Sequence, residues 1–473
     1  MKNTGNIPFI AEDVSLSSVV KYIDQCREQG VDIHAFELYE ENQLKVRFAP
    51  YPYSCQDSPQ IYSLSKSFTA TAIGMLCDEG RLCVEDRIVD IFPDKLPETV
   101  SDHLKEMKIK HVLSMNTGHS CCVMNQMNGA GDSVKAFLAQ PVPNKPGTSF
   151  VYNTGATSLL ASVVEKVTGK SHFDFVSERI FEPLDIVNVY WDQNKDGTSE
   201  GGTGLHISCD DVAKFGLLYL NGGVWNGQRL LSEEWVKTAS AAHSDNSMNG
   251  TPDWSSGYGY QFWKNAKWGY RGDGAMGQLC LILPEKQIVA VQFAFLYQMQ
   301  PEMDLLCELI ENLHADTGEQ PDVSKAMAGY YVPFKSNGIA ANHLGKTYFC
   351  DKNPADITSF TFTEENEKLV FTFSNGREKQ KIVCGNGEFV QNKIWARNIK
   401  PTLRDILVNP RYENLHFMAS FESEDDKITI QFRYLDCPVT ETVVCTFFCG
   451  ESVLSFDSEI GVGAGKIRAV LGN

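Results

Sequence analysis

Between residues 15 and 29 apolar side chains recur at helical spacing and the stretch ends at Gly30, a pattern that predicts an amphipathic helix. Val31 to Tyr39 and Leu44 to Pro50 then read as strands. From Ser67 to Cys77 no charged residue occurs, as in a helix buried on every side. The stretch from 66 to 240 is helix-rich, with helices expected at Lys66 to Glu79, His103 to Met115, Ala156 to Thr168, Phe173 to Phe181, Asp210 to Leu220 and Glu233 to Ala242. Strand patterns return at Tyr258 to Trp263, Gln278 to Leu283 and Gln287 to Phe295, followed by a helix at Glu302 to Leu313. Strands at both ends of a helical middle predict one sheet assembled from both ends and covered by helices.

Residues 314 to 325 are polar, turn-prone and poor in core residues, as a linker is. Beyond them the period changes to two, as in Thr358-Ser359-Phe360-Thr361-Phe362-Thr363 and Lys427-Ile428-Thr429-Ile430-Gln431-Phe432, with turns at Asn375-Gly376 and Asn386-Gly387. The expected class is α+β: a first domain over 1–313, a linker over 314–332, and a separate antiparallel β domain over 333–473 built as a small barrel.

Composition narrows the function. With 42% hydrophobic and 22% charged residues, the 473-residue chain is ordinary for a globular protein. Its 42 basic and 60 acidic residues give a net charge of -18, which argues against nucleic acid or an anionic membrane as partner. The start of the chain has no apolar stretch of signal-peptide length and no segment has membrane-span length, so a cytoplasmic protein is expected. Several of the 14 cysteines, Cys77, Cys280, Cys307 and Cys445 among them, lie in apolar runs, as buried free thiols do. No C-x-x-C and no zinc-like His/Cys spacing occurs, so neither a metal nor a cofactor is expected.

Three segments carry candidate chemistry. Ser63 and Lys66, in Tyr62-Ser63-Leu64-Ser65-Lys66-Ser67-Phe68, stand three apart where the charge-free helix begins. That spacing puts amine and hydroxyl on one helix face, and a serine needs such a base to become a nucleophile. Burial favours the neutral amine and the helix start favours negative charge on the serine. Spacing alone identifies nothing, because Ser18-Val19-Val20-Lys21 repeats it inside the first amphipathic helix. The second segment, Pro146-Gly147-Thr148-Ser149-Phe150-Val151-Tyr152-Asn153-Thr154-Gly155, sets a tyrosine on a turn before a helix, where it could relay a proton if the lysine stabilised its phenolate. The third, Arg271-Gly272-Asp273-Gly274-Ala275-Met276-Gly277-Gln278, reads by itself as a hairpin corner, and its glycines would let a substrate approach a strand edge.

In this order and with these surroundings, the three segments resemble the penicillin-recognising serine hydrolase superfamily: class C β-lactamases, D-alanyl-D-alanine carboxypeptidases and related esterases and amidases. The resemblance spans roughly residues 31 to 312 and includes Cys77-Asp78-Glu79-Gly80-Arg81-Leu82, Ile109-Lys110-His111-Val112-Leu113-Ser114-Met115-Asn116-Thr117-Gly118 and Asp211-Val212-Ala213-Lys214-Phe215-Gly216. It implies a β-lactamase-like fold, with Ser63 as acylated nucleophile, Lys66 as its proton acceptor and Tyr152 as the acid and base for the leaving group and the deacylating water. It also implies an oxyanion hole from the backbone N–H groups of Ser63 and Ala275, and a substrate site formed by Asn153 or Thr154 with Arg271, Gly272, Asp273 and Gly274. The expected substrates are small esters, amides or short peptides.

Two departures stand out. The family usually has Tyr-x-Asn, whereas Tyr152 is followed by Asn153 and Thr154, either of which could face the substrate. Gly272 replaces a lysine or histidine that binds a substrate carboxylate, and Arg271 would start on the opposite face of the strand. Weak or absent β-lactamase and carboxypeptidase activity follows as an expectation. Within enzymes the rival is a Ser-His-Asp hydrolase, but there is no G-x-S-x-G elbow, and His119 and His206 read as structural or pocket-lining. Outside catalysis, the rival is a β-lactam or peptide sensor that acylates without turnover.

Overall fold

A computed structural model describes residues 9–315, 318, 321–339, 341–353, 357–374, 379–395, 414–448, 451–458 and 466–472. The chain forms two compact units, Met1–Ala49 with Cys55–Pro321, and Pro50–Ser54 with Asp322–Asn473. This division falls inside the stretch 314–332 read as linker, where a short helix, Val323–Ala328, starts on the Asp322 side chain. The turn expected at Asn375-Gly376 lies outside the described residues.

In the first unit, β1 (Ile10–Ala11), β2 (Asp32–Glu40) and β3 (Gln43–Phe48) join β4 (Trp263–Lys264), β5 (Tyr270–Gly274), β6 (Gln278–Leu283) and β7 (Ile288–Phe295) in one antiparallel sheet. The order is β1-β3-β2-β7-β6-β5-β4, so β2 meets β7 and the two ends of the segment close one sheet. Strand β7 is buried along its whole length because helices cover both faces. On one face Tyr22 of α1 (Leu16–Glu28) donates to Gln292 of β7, and Gln292 reaches Glu302 at the start of a helix over Gln300–Glu311. The opposite face carries α2 (Ser65–Asp78), α3 (Thr154–Thr168) and α4 (Cys209–Leu220) in one large apolar core. Gly216 lets α4 lie close on the sheet, since a Cβ there would stand 2.6 Å from Val289 Cγ1. Every α2 residue from Ser65 to Leu76 is buried, which the charge-free run foretold.

Three elements differ from the sequence pattern; of the strand expected over Tyr258 to Trp263 only the last residue is in one, Trp263–Lys264, while Tyr258 makes isolated bridges to Ser244 and Trp263. The helix expected over His103 to Met115 is two short ones, Asp102–Glu106 and Ile109–Leu113, because Lys108 between them is extended and bridges to Arg87. The hairpin corner expected at Asp273-Gly274 belongs to β5, and the chain turns one step later, with Met276 and Gly277 at positive φ. Among the described residues, no helix is long and apolar enough to cross a membrane.

Among the described residues of the second unit, ten antiparallel strands form a barrel-like sheet. Neighbours in sequence pair all the way round, and the first strand, Thr347–Cys350, pairs with the last, Lys466–Leu471. The remaining seam lies between Lys379–Cys384 and Val390–Trp395, where the Asn392 amide clips Val383: its Oδ1 accepts from the Val383 N–H at 2.8 Å and its Nδ2 donates to the carbonyl at 2.9 Å. Tyr348, Phe360, Phe362, Phe371 and Phe447 stack in the interior.

Candidate active site

Ser63 lies in a single 3-10 turn, Tyr62–Leu64, that runs straight into α2. Tyr62 holds φ at 45°, a left-handed conformation that costs a non-glycine residue about 1 kcal/mol. Ser65 secures this turn, donating to the Tyr62 carbonyl at 2.5 Å and accepting from the Leu205 N–H at 3.1 Å. The result leaves Ser63 partly exposed between two buried neighbours, so its hydroxyl can be reached from outside.

Lys66, one turn into the buried helix, aims its amine back at that hydroxyl. Its Nζ stands 2.8 Å from Ser63 Oγ, 2.6 Å from the Gly202 carbonyl and 3.2 Å from Thr154 Oγ1. Three acceptors thus match the three protons of an ammonium. The side chain is 1% exposed, and burial pulls its pKa down to about 7, with Cys122 and Asp273 acting in the opposite sense. The amine is therefore shared between its two protonation states near neutral pH. Gly202 delivers its carbonyl only because it lacks a side chain, since a Cβ there would stand 2.6 Å from the Thr154 carbonyl.

Tyr152 faces the same amine, with Lys66 Nζ 5.0 Å from its ring centroid. Its ring stacks on Trp263 at 5.4 Å and meets Tyr258 edge-on. Burial, reinforced by the negative charge of Asp273, raises the phenol above the ordinary tyrosine value, while a hydrogen bond with Ser63 pulls the other way. This departs from the phenolate considered from sequence: the tyrosine keeps its proton at rest.

Thr154 and Asn153 have separate tasks. Thr154 accepts from Lys66, whereas Asn153 is fully buried and turned away, its Oδ1 taking the Val123 N–H at 3.1 Å. The structure brings Thr154 to the Lys66 amine and turns Asn153 toward the Val123 backbone instead.

Strand β5 alternates its faces as the sequence requires. Gly272 and Gly274 point at the segment around Ser63: a Cβ on the first would stand 2.4 Å from Leu64 Cδ1, and one on the second 2.1 Å from the Ile61 carbonyl. Arg271 and Asp273 point the other way and form an ion pair, Nη2 to Oδ2 at 2.9 Å and Nε to Oδ2 at 3.1 Å. Arg271 also donates through Nη1 to the Asp253 carbonyl and to Asn265, beneath the Trp254 ring. Ala275, just beyond the strand, is exposed, and neither its N–H nor that of Ser63 makes a backbone hydrogen bond among the described residues. Two free amides beside a serine are what an oxyanion hole needs.

Sequence reasoning overlooked three supporting groups: Ser65, Gly202 and Gln278. The Gln278 side-chain amide grips the turn behind Ala275, donating to the Met276 carbonyl at 3.1 Å and the Ala294 carbonyl at 2.7 Å. Only Gly202 left a trace, in the glycine cluster Glu200-Gly201-Gly202-Thr203-Gly204. His119 is hydrogen-bonded to Thr117 and meets the Phe137 ring edge-on, and His206 stacks on Tyr190 beside Asp192. Among the described residues, Glu37, Cys55 and Asp210 group as metal ligands would, but the Arg47 guanidinium already pairs with both carboxylates, at 2.6 and 3.1 Å.

The family model described as Beta-lactamase matches residues 42–299. The 6-aminohexanoate-dimer hydrolase of Paenarthrobacter ureafaciens is 25% identical over 288 residues, covering 55% of this chain and 72% of that protein. Protein flp of Staphylococcus aureus (strain MRSA252) is 24% identical over 175 residues, 36% of this chain and 34% of its own length. Among solved structures, a D-stereospecific amidohydrolase from Streptomyces sp. shares the fold with a TM-score of 0.50 and 16% identity, over 65% of this chain and 100% of that one.

Proposed function

The chain belongs to the Beta-lactamase family and is a hydrolase, and on that premise we propose that it is a serine hydrolase acting through an acyl-enzyme on Ser63. The neutral fraction of Lys66 takes the Ser63 proton as Oγ attacks the acyl carbonyl, and the N–H groups of Ser63 and Ala275 hold the oxyanion. Tyr152 then gives its proton to the leaving oxygen or nitrogen as that bond breaks, and the Lys66 ammonium returns a proton to the phenolate. In the second half a water attacks, its proton passes to the Lys66 and Tyr152 pair, and Ser63 Oγ recovers a proton as the acyl bond breaks. Thr154 and the Gly202 carbonyl keep the amine aimed throughout.

The observation that carries this reading is the 2.8 Å contact between Ser63 Oγ and an amine that burial brings to about neutral pKa. Small esters, amides and short peptides are the proposed substrates, and the 6-aminohexanoate-dimer hydrolase relative supports an amide among them. Efficient turnover of β-lactams is not expected, because the face of β5 toward Ser63 carries no cation.

A fluorophosphonate probe followed by peptide mass spectrometry should place the label on Ser63. Labelling that persists in Ser63→Ala sinks the assignment. Lys66→Ala and Tyr152→Phe should each lower turnover of p-nitrophenyl acetate by about 100-fold or more, the scale of a positioned base or acid. Near-normal rates in either variant would require a different proton acceptor.

A further inference from the structure

The carbonyl that receives the Lys66 amine belongs to a loop, residues 200–204, in which every carbonyl has a donor. Thr69 Oγ1 donates to Gly201 at 2.8 Å, Ser158 Oγ donates to Glu200, Trp191 Nε1 donates to Thr203 at 2.7 Å, and the Asp192 N–H donates to Gly204 at 2.8 Å. Lys66 itself takes the remaining one, Gly202, at 2.6 Å. The two hydroxyls come from the helices that hold the amine. Thr69 lies one turn beyond Lys66 on α2, and Ser158 lies one turn beyond Thr154, the third partner of Nζ, on α3.

Thr69 is itself fixed. Its single proton goes to Gly201, so it accepts from His172 Nε2 at 3.1 Å, and burial pulls that imidazole down to about 3 and keeps it neutral. The His172 ring meets Trp191 edge-on at 4.6 Å, which ties two of the loop's donors together. Thr69, Ser158 and His172 are all buried, so a carbonyl that lost its hydroxyl would have no solvent to turn to.

An acceptor at 2.6 Å favours the ammonium over the neutral amine and so opposes burial. The other titratable groups around the amine are Tyr152, Cys122 and Asp273, and neither Thr69 nor Ser158 is hydrogen-bonded to any of them. The Glu200 carboxylate lies at Gly204, its Oε2 3.1 Å from where a Cβ would stand there. The two hydroxyls therefore reach Lys66 through backbone carbonyls alone.

We propose that Thr69 and Ser158 are positioning residues for the base: by holding the carbonyls of Gly201 and Glu200 they keep the Gly202 carbonyl on the Lys66 amine, and so set the pH at which that amine can accept the Ser63 proton. This rests on the Ser63 reading proposed above and adds to it the part of the fold that tunes its base.

The test is the acid limb of kcat/KM for p-nitrophenyl acetate, whose midpoint reports the amine. Thr69→Val and Ser158→Ala should each move that midpoint down by about half a pH unit or more, part of the roughly one to two units that complete loss of a charge-assisted bond is worth. Thr69→Ser keeps the hydroxyl and should keep the wild-type midpoint. Thr168→Val, which removes a hydroxyl bonded to the Val164 carbonyl at the far end of α3, should leave the midpoint in place as well. Should Thr69→Val or Ser158→Ala fold poorly, the pH dependence of fluorophosphonate labelling at Ser63 reads the same midpoint in the folded fraction. A midpoint that stays put in both variants, that rises, or that moves equally in Thr69→Ser and Thr168→Val would overturn the inference. Neutral-ester turnover that survives Ser63→Ala, or a wild-type profile with no acid limb, would instead remove the reading on which it rests, so the two failures are distinguishable.

Discussion

Gly272 and Leu64 are packed so closely that a side chain on the glycine would begin 2.4 Å from Leu64 Cδ1, with Ser67 Oγ at 2.8 Å. The place where the resemblance implies a lysine or histidine is here filled by the Leu64 and Ser67 side chains. Restoring the residue therefore cannot restore the function. Gly272→Lys should destabilise the protein by about 1–3 kcal/mol, the usual cost of overpacking, without improving nitrocefin turnover relative to p-nitrophenyl acetate. Thermal melting and the two kcat/KM values check this, and a stable variant with a gain toward nitrocefin would contradict the packing account.

The depressed pKa of Lys66 predicts a pH profile. In the proposed mechanism the base is the unprotonated amine, so kcat/KM for a neutral ester should rise as pH increases through about 7 and level off above it. No fall is expected up to pH 10, because burial raises the Tyr152 phenol above its ordinary value and it keeps its proton. A profile flat from pH 5 to 9, or one falling on the alkaline side below pH 9, would assign the proton transfer elsewhere.

Glu302 offers a prediction about stability. It is fully buried, accepts from Gln292 Nε2 at 2.5 Å, and burial raises its pKa to about 8. Its folded-state pKa lies above the unfolded one, so the stability it contributes is present below pH 4.5 and is lost as pH rises toward 8. Glu302→Gln removes that titration. The variant should match wild type near pH 5 and be more stable near pH 8.5, by up to about 4 kcal/mol. Denaturant melts at both pH values decide it, and a variant less stable than wild type at pH 8.5 would show that the carboxylate has a charged partner.

The second unit, which we propose folds as a domain, is expected to matter to catalysis although Ser63 belongs to the first unit. Residues 50–54, a few positions before the nucleophile, group with it, and Tyr53 packs with Tyr331 and Phe389. A fragment ending at Pro321 should lose these partners and show at least about tenfold lower ester turnover, as remote positioning defects do. Full activity in a soluble fragment would make the second unit an accessory.

The sheet assembled from both ends, the buried helix behind Ser63 and the β-rich second unit were legible because each is written in hydrophobic period. Strand β5 was not, since Tyr270-Arg271-Gly272-Asp273-Gly274 has the composition of a corner. Its glycines are there for close approach to Leu64 and Ile61, a tertiary demand that sequence chemistry mistakes for a turn. Of the two candidates after Tyr152, only geometry separates Thr154, bonded to Lys66, from Asn153, bonded to Val123. The groups that fix the nucleophile turn and the amine, Ser65 and the Gly202 carbonyl, act through single hydrogen bonds that carry no pattern a sequence can display.

The Asn392 clip has a consequence for how this protein behaves in a crowd. Strands Lys379–Cys384 and Val390–Trp395 are the two rims of the ten-stranded sheet, and a rim with free N–H and C=O groups is a template on which another chain can add a strand. The Asn392 amide engages both the N–H and the carbonyl of Val383, and just past that strand Gly385 exchanges backbone hydrogen bonds with Ala419 and Phe421, so part of the first rim is taken up within the sheet. A handful of bonds thereby stands between a closed sheet and one that could propagate from molecule to molecule.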